Sequence, residues 1–284
     1  MDLRQLIARQ DGVVTLSQAA QHGINRAAVQ RRVASGAWIR VGRGVYFVAD
    51  RPATPRARLR GIVFELGDDA VVAGPTAAWW HGILARPPAT TTICVPRGRH
   101  GIRRAGLSLI RRDLDPSDVR RRKGLVVTSI PMSVLDAAVL DGAAVLDHAL
   151  LRRRVRLDEI IDVHSRYPRR HGAPRAASLI DAAITGARSE AERIAHGLLR
   201  SAGITGWRPG VEIGGYEGDV VFDAQRLVVE IDGFAYHSGQ REFQRDRTRQ
   251  NALVANGWTV LRFTWADLTE RPDQVIATIR HALR

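Results

Sequence analysis

The 284-residue chain has a single cysteine, Cys94. No internal disulfide can form, and a thiolate zinc cluster is excluded. Lysine is nearly missing: of 43 basic residues only Lys123 is not arginine. That imbalance can reflect genomic composition, so no function is read from it. No apolar run approaches the ~18 residues of a membrane span. The opening MDLRQLIARQDG is amphipathic without an apolar centre, so a secretory signal is not expected and a cytoplasmic protein is. Internal repeats and low-complexity tracts are absent too.

Positive charge is present in excess, at +14, and its placement is uneven. From Thr185 onward there are 13 Arg and 13 acidic residues, so the first 184 residues carry 30 basic and 16 acidic side chains and the whole excess. A basic front joined to a neutral rear fits a polyanion gripped by the front. A soluble chain that merely repels its own copies would show the same excess. The length suggests two or three domains.

Residues 1–50 read as three short helices and a β-ribbon. Leu3, Leu6 and Ile7 give the first helix an apolar face. Thr15-Leu-Ser-Gln18 is a capping-box pattern, Gly23 a stop, and Asn25 a cap for a helix from Arg26 to Ser35. Trp38–Phe47 flank the turn Gly42-Arg43-Gly44 as a hairpin. That order is the one found in a winged helix-turn-helix. Residues 51–58, with two prolines and three arginines, read as a linker. A mixed α/β middle region is expected over 59–184, with helices at Leu59–Leu66, Thr76–Gly82 and Ser133–Leu140. Its strands are expected at Thr91–Pro96, Gly106–Arg111 and Val126–Thr128, and further helix after 140 is broken by the basic stretch Arg166–Arg175. Residues 185–284 read as helix (capped by Ser189, stopped by Gly203), two strands, helix, strand, helix. The fold class is α/β, or α+β overall.

The strand LVVEIDG is the most informative segment. Glu230 and Asp232 sit two apart on a strand, hence on one face. Like charges crowded on a core strand resist desolvation, and a cation would relieve that cost. If Ala224-Gln225 is a two-residue turn, Phe222 faces Leu227, Val220 faces Val229, and Asp219 faces Glu230. Directly opposed Cβ atoms lie ~4.5–5.5 Å apart, so three carboxylates would converge at one hairpin end. Such hard oxygen donors suit Mg²⁺ or Mn²⁺. The same residues would also suit a solvent-exposed strand end paired with the arginines of 241–249.

Glu192 on a helix, then Asp219, then Glu230-x-Asp232 resembles the PD-(D/E)XK nuclease arrangement. VEIDGFAYH followed by FQRDRTRQNALVANGWTVLRFTW resembles domains related to the very-short-patch repair endonuclease, over residues 189–283. The resemblance implies metal binding by Asp219 and Glu230, assisted by Glu192 and Asp232, with His237 as a candidate acid/base or water-orienting group. Asp232 stands where these nucleases have lysine, so the missing cation would come from a second metal, His237, or an arginine such as Arg247. Glu190 competes with Glu192 for the helical acid, since both would sit in a first turn. Arg245, Arg247 and Arg249 are phosphate candidates or a solvated helix face.

In a helix-turn-helix the second helix reads the major groove. Here Arg26, Gln30 and Arg31 are its exposed candidates, with Ala28, Val29 and Val33 inward and Arg40 and Arg43 on the wing. A plain helical hairpin shares this periodicity. GVVTLSQAAQHGINRAAVQRRVASGAWIRVGRGVYFV is similar to the start of the AbiEi antitoxins. GPTAAWWHGI, TTICVPRG and VTSIPMSVLDAA resemble that family's second domain, with Met132 and Ser133 in place of its Arg and Thr. Those proteins bind promoter DNA and neutralise a nucleotidyltransferase toxin.

The leading expectation is thus a DNA-binding endonuclease or nickase using Mg²⁺ or Mn²⁺. Its domains would be 1–50 (DNA-reading), 59–184 (basic, middle) and 185–284 (nuclease). The alternative is a non-enzymatic, antitoxin-like regulator with a degenerate nuclease domain and a cognate toxin as partner. RNA is a further candidate substrate. A homodimer would allow paired cuts; no membrane partner is expected.

Overall fold

The computed structural model describes residues 2–99, 104–213, 216–232 and 250–284. It is a mixed α/β protein with three sheets. The chain forms two compact units, 1–176 and 177–284, described separately below.

The first unit opens with α1 (Leu3–Arg9), β1 (Val13–Thr15), α2 (Leu16–Gln21), α3 (Arg26–Ala34), β2 (Trp38–Gly42) and β3 (Val45–Val48). Local chemistry sets the boundaries. The Gln18 amide donates to Thr15 Oγ1 at 3.1 Å while Thr15 N–H donates to Gln18 Oε1 at 3.0 Å, closing the capping box. Asn25 Oδ1 accepts from Ala28 N–H at 2.9 Å. Gly44, at φ +70°, makes the turn of the β2–β3 ribbon. β1 is a third strand that the sequence reading lacks; only three residues long, it shows no alternation and pairs antiparallel with β3. Ile7, Val14, Ala19, Val29 and Trp38 form the core of this part. Val33, expected inward, is 36% exposed. Arg32 lies one turn on from Val29 and covers Trp38, its guanidinium 5.6 Å from the ring, which leaves Val33 at the rim.

The expected linker 51–58 is partly helix. Helix α4 (Pro55–Leu66) starts four residues before Leu59, because Thr54 caps it (Ala57 N–H to Oγ1, 3.1 Å) and proline opens its first turn. A five-stranded sheet follows, in the order β6-β5-β4-β8-β7. Its strands are β4 (Val71–Val72), β5 (Thr91–Val95), β6 (Leu107–Arg111), β7 (Val119–Arg122) and β8 (Leu125–Thr128). Helices α5 (Gly74–His81), α6 (Ile130–Asp141), α7 (Ala144–Leu151) and α8 (Leu157–Arg166) complete this part. β4 has two residues and β7 reads VRRR, so neither carries a strand pattern.

Asp136 of α6 is buried with two arginines, Arg112 Nη1 at 2.9 Å and Arg170 Nη1 at 3.2 Å. An arginine at position 132 would face Asp136 from one turn away. Met132 occupies that place, and its sulfur lies 3.1 Å from Arg112 Nη1. Distant arginines therefore supply the charge that the helix itself lacks. Ser133 keeps the hydroxyl of the threonine it replaces, donating to Ser129 O at 2.7 Å.

Helix α9 (Ala173–Ser201) is continuous for 29 residues. This corrects the expected start at Ser189, which lies mid-helix. Alanines dominate 176–195, and the one glycine there, Gly186, costs a helix only ~1 kcal/mol. Gly203, at φ +69°, provides the stop just beyond.

The second unit adds β9 (Arg208–Ile213), β10 (Tyr216–Phe222), β11 (Leu227–Asp232), helical residues 250–255 (α10), β12 (Thr259–Thr264), α11 (Trp265–Glu270) and α12 (Pro272–Ala282). Sheet order is β12-β11-β10-β9, with β11 and β12 parallel and the other pairs antiparallel. Ala191, Ala195 and Leu199 of α9 pack with Val220, Phe222, Leu227, Val229 and Ile231 on one face, joined by Leu268, Val275 and Ile279. Val221, Val228 and Leu253 pack on the opposite face. Helix α11 lies outside the sequence expectation. Its signal was a capping box at Thr264 and Asp267, where the Asp267 amide donates to Thr264 Oγ1 at 3.2 Å. Among the described residues no helix is long and apolar enough to cross a membrane.

Candidate nuclease site

The β10–β11 hairpin has the register that the sequence predicts: Val220 pairs with Val229, Val221 with Val228 and Phe222 with Leu227. Alternation decides it, because a one-residue slip would turn Phe222 and Val229 out of the core. Asp219 and Glu230 each lie one residue beyond the Val220–Val229 pair. The side chain of Asp219 is tied into the hairpin, with Oδ2 accepting the Ile231 N–H at 2.8 Å.

The other Asp219 oxygen, Oδ1, accepts from Arg188 Nη2 at 2.9 Å. Arg188 Nε donates to Glu192 Oε1 at 3.1 Å, one turn along α9. One guanidinium thus joins the helical acid to the strand acid. Glu190 turns the other way and pairs with Arg193 at 2.5 Å. The hydrogen bond to Asp219 raises the pKa of Arg188 above its ordinary value, so this cation is fixed.

Glu230, only 6% exposed, meets Arg262 Nε through Oε2 at 2.6 Å. Parallel pairing sets this contact, since Glu230 and Arg262 are register partners on β11 and β12. Arg188 and Arg262 are the two residues of this site that sequence reasoning did not single out. Arg262 had a signal, as the arginine of the quoted G-W-x-V-L-R-F string. Arg188 had none beyond its spacing from Glu192.

The expected convergence of three carboxylates includes Asp232, whose side chain lies outside the described residues; among the described residues no three His, Cys, Asp or Glu side chains gather to hold a metal ion. Arginines divide the acids into two groups instead, Asp219 with Glu192 on Arg188, and Glu230 on Arg262. Asp232 closes β11 opposite Thr264; its side chain, His237 and Arg245, Arg247 and Arg249 lie outside the described residues.

In the first unit Arg26, Gln30 and Arg31 are exposed on α3, and Arg40 and Arg43 on the ribbon. The ribbon tip is pinned, with Arg43 N–H donating to Glu65 Oε1 of α4 at 3.0 Å.

Comparisons with known proteins match the two ends of the chain. Residues 1–49 match the AbiEi_4 family, described as transcriptional regulator, AbiEi antitoxin. Residues 191–283 match the REase_MTES_1575 family. Two uncharacterised proteins of Mycobacterium tuberculosis, from strains CDC 1551 / Oshkosh and H37Rv, are each 26% identical over 269 residues, covering 91% of this chain and 97% of their own length. Among solved structures, the catalytic domain of the homing endonuclease I-Bth0305I aligns over 32% of this chain and 90% of its own, at 21% identity and a TM-score of 0.28. The chain therefore joins an AbiEi antitoxin-like N-terminal region to a C-terminal domain like the REase_MTES_1575 restriction endonucleases.

Proposed function

We propose that this chain is a DNA-binding, metal-dependent endonuclease or nickase. The carrying observation is that Asp219 and Glu230 each lie one residue beyond the Val220–Val229 pair, at the same end of one hairpin, inside the restriction endonuclease-like segment. In this reading residues 1–50 are a winged helix-turn-helix that reads duplex DNA through Arg26, Gln30 and Arg31, with Arg40 and Arg43 on the wing. Residues 59–184 add positive charge, and 185–284 form the nuclease domain of a cytoplasmic protein.

The donor set fits a hard divalent ion such as Mg²⁺ or Mn²⁺: all its oxygens are carboxylate. Asp219 and Glu230 would hold the ion, with Glu192 and Asp232 assisting. When bound, such an ion activates water and stabilises the leaving oxygen of a phosphodiester. The protein's own part is positional. The Ile231 amide fixes the Asp219 carboxylate, and Arg188, 52% exposed, joins Asp219 to Glu192 at the solvent edge. Arg262 answers the loss of lysine at position 232, because it sets a cation against Glu230 from the neighbouring strand. Tested on plasmid DNA with Mn²⁺, cutting should require Glu230 and Asp219; cutting that survives Glu230→Ala overturns the reading.

One observation favours a second reading, an antitoxin-like regulator with a degenerate nuclease domain and a toxin partner. Arg188 and Arg262 already neutralise the acids a metal would use. Salt-dependent promoter binding without metal-dependent cutting would select it.

A further inference from the structure

A cleft of about 540 Å³ opens in the first unit, and none of the candidate site residues named above lines it. That volume lies within the usual range of small-ligand sites, about 300–1,000 Å³. Arg120, Arg121 and Arg122 of β7 line it, and so does Arg154, from the segment between α7 and α8. Among the described residues none of these four arginines has a carboxylate partner.

The acids on the cleft wall do not cancel this charge. Asp118 is held by Arg166 at 2.6 Å and by the Tyr167 hydroxyl at 2.8 Å, and Glu159 accepts the Arg156 N–H at 2.8 Å. Asp162 is the one further acid of the lining, and it is exposed.

Sheet-edge protection explains arginines on β7, which is an edge strand. It does not explain Arg154, which comes from another segment. His81 lines the same cleft at 4% exposure; its Nε2–H donates to Thr128 O at 2.8 Å, and its Nδ1 has no hydrogen-bond partner among the described residues. Ser129, the cap of the 12-residue helix α6, also lines the cleft and turns that helix's N-terminus toward it. Helix N-termini and arginines both select anions, and arginine forks suit phosphate oxygens.

We propose that this cleft is a phosphate-binding site, built by Arg120, Arg122 and Arg154 around the N-terminus of α6. Its ligand is a phosphate group, supplied either by nucleic acid or by a free nucleotide. The site does not depend on the nuclease reading, since every residue of it lies within 1–176.

The test uses the full chain in EDTA, with inorganic pyrophosphate and a short duplex DNA as separate probes. Binding is measured for wild type, for Arg122→Ala/Arg154→Ala, and for Arg9→Ala/Arg86→Ala, which removes equal charge elsewhere on the front. The cleft variant should bind at least one probe about tenfold more weakly than the charge-matched control, with an unchanged melting temperature. Weakening toward duplex identifies nucleic acid as the source, and the slope of log K against log salt should then flatten by roughly 1–2. Weakening toward pyrophosphate alone identifies a free ligand. Equal binding of both probes by the cleft variant and the control overturns the proposal. Should the double variant melt early, Arg120→Ala alone is compared in the same way.

Discussion

Arg188 and Asp219, 31 residues apart in sequence, are joined at 2.9 Å, and the same guanidinium also holds Glu192. A cation therefore sits where the proposed metal would find its strand and helix ligands. Removing it should favour the metal. Arg188→Met is expected to tighten Mn²⁺ binding about two- to fivefold, the scale of a partly exposed ion pair of ~1 kcal/mol. Calorimetry without DNA checks this; equal or weaker binding would count against Asp219 as a ligand.

Asp219 has a structural task as well, because Oδ2 accepts the Ile231 N–H. Asparagine keeps an acceptor there and alanine does not. An amide left unpaired in a buried strand costs about 1–3 kcal/mol. Asp219→Ala should therefore unfold at lower urea than Asp219→Asn, while both lose metal binding. Coincident urea midpoints would show that the Ile231 amide does not depend on this carboxylate.

His81 has its pKa lowered below 6.5, first by burial and also by Arg122 and Arg154, against the hydrogen bond to Thr128. The folded protein thus holds His81 neutral where the unfolded chain would protonate it. That linkage makes stability fall as pH drops below about 6.5 toward the lowered value. His81→Gln should lack this component, so its stability gap to wild type narrows on acidification. A gap constant between pH values of about 7.5 and 5 would remove His81 from the pH response.

Cys94 is 1% exposed, and burial pushes its thiol up to about 11. The thiolate is the reactive form, so the folded protein should label slowly at pH ~8 and the urea-unfolded chain at once. Rapid labelling of the folded state would contradict that burial.

What the sequence disclosed divides by distance along the chain. Thr15 with Gln18, Asn25 with Ala28, and the pairing of Phe222 with Leu227 rest on residues a few positions apart, where capping and alternation act. The arginine partners escaped because Arg262 meets Glu230 only once β11 and β12 are laid side by side, and Arg188 meets Asp219 only once α9 packs on the sheet. Ser189 misled because serine caps helices well, yet nothing around it breaks one. β7 went unseen because its three arginines serve a sheet edge and a cleft rather than an apolar face.

In the proposed function Asp219 and Glu230 form a metal-dependent cutting site. The most direct measurement is the conversion of supercoiled plasmid to nicked or linear DNA by purified protein, with Mn²⁺ or with EDTA, for wild type and Glu230→Gln. Wild type should cut in Mn²⁺ alone, and Glu230→Gln should not cut. Cutting in EDTA, equal cutting by the variant, or no cutting by wild type despite tight duplex binding would contradict that function.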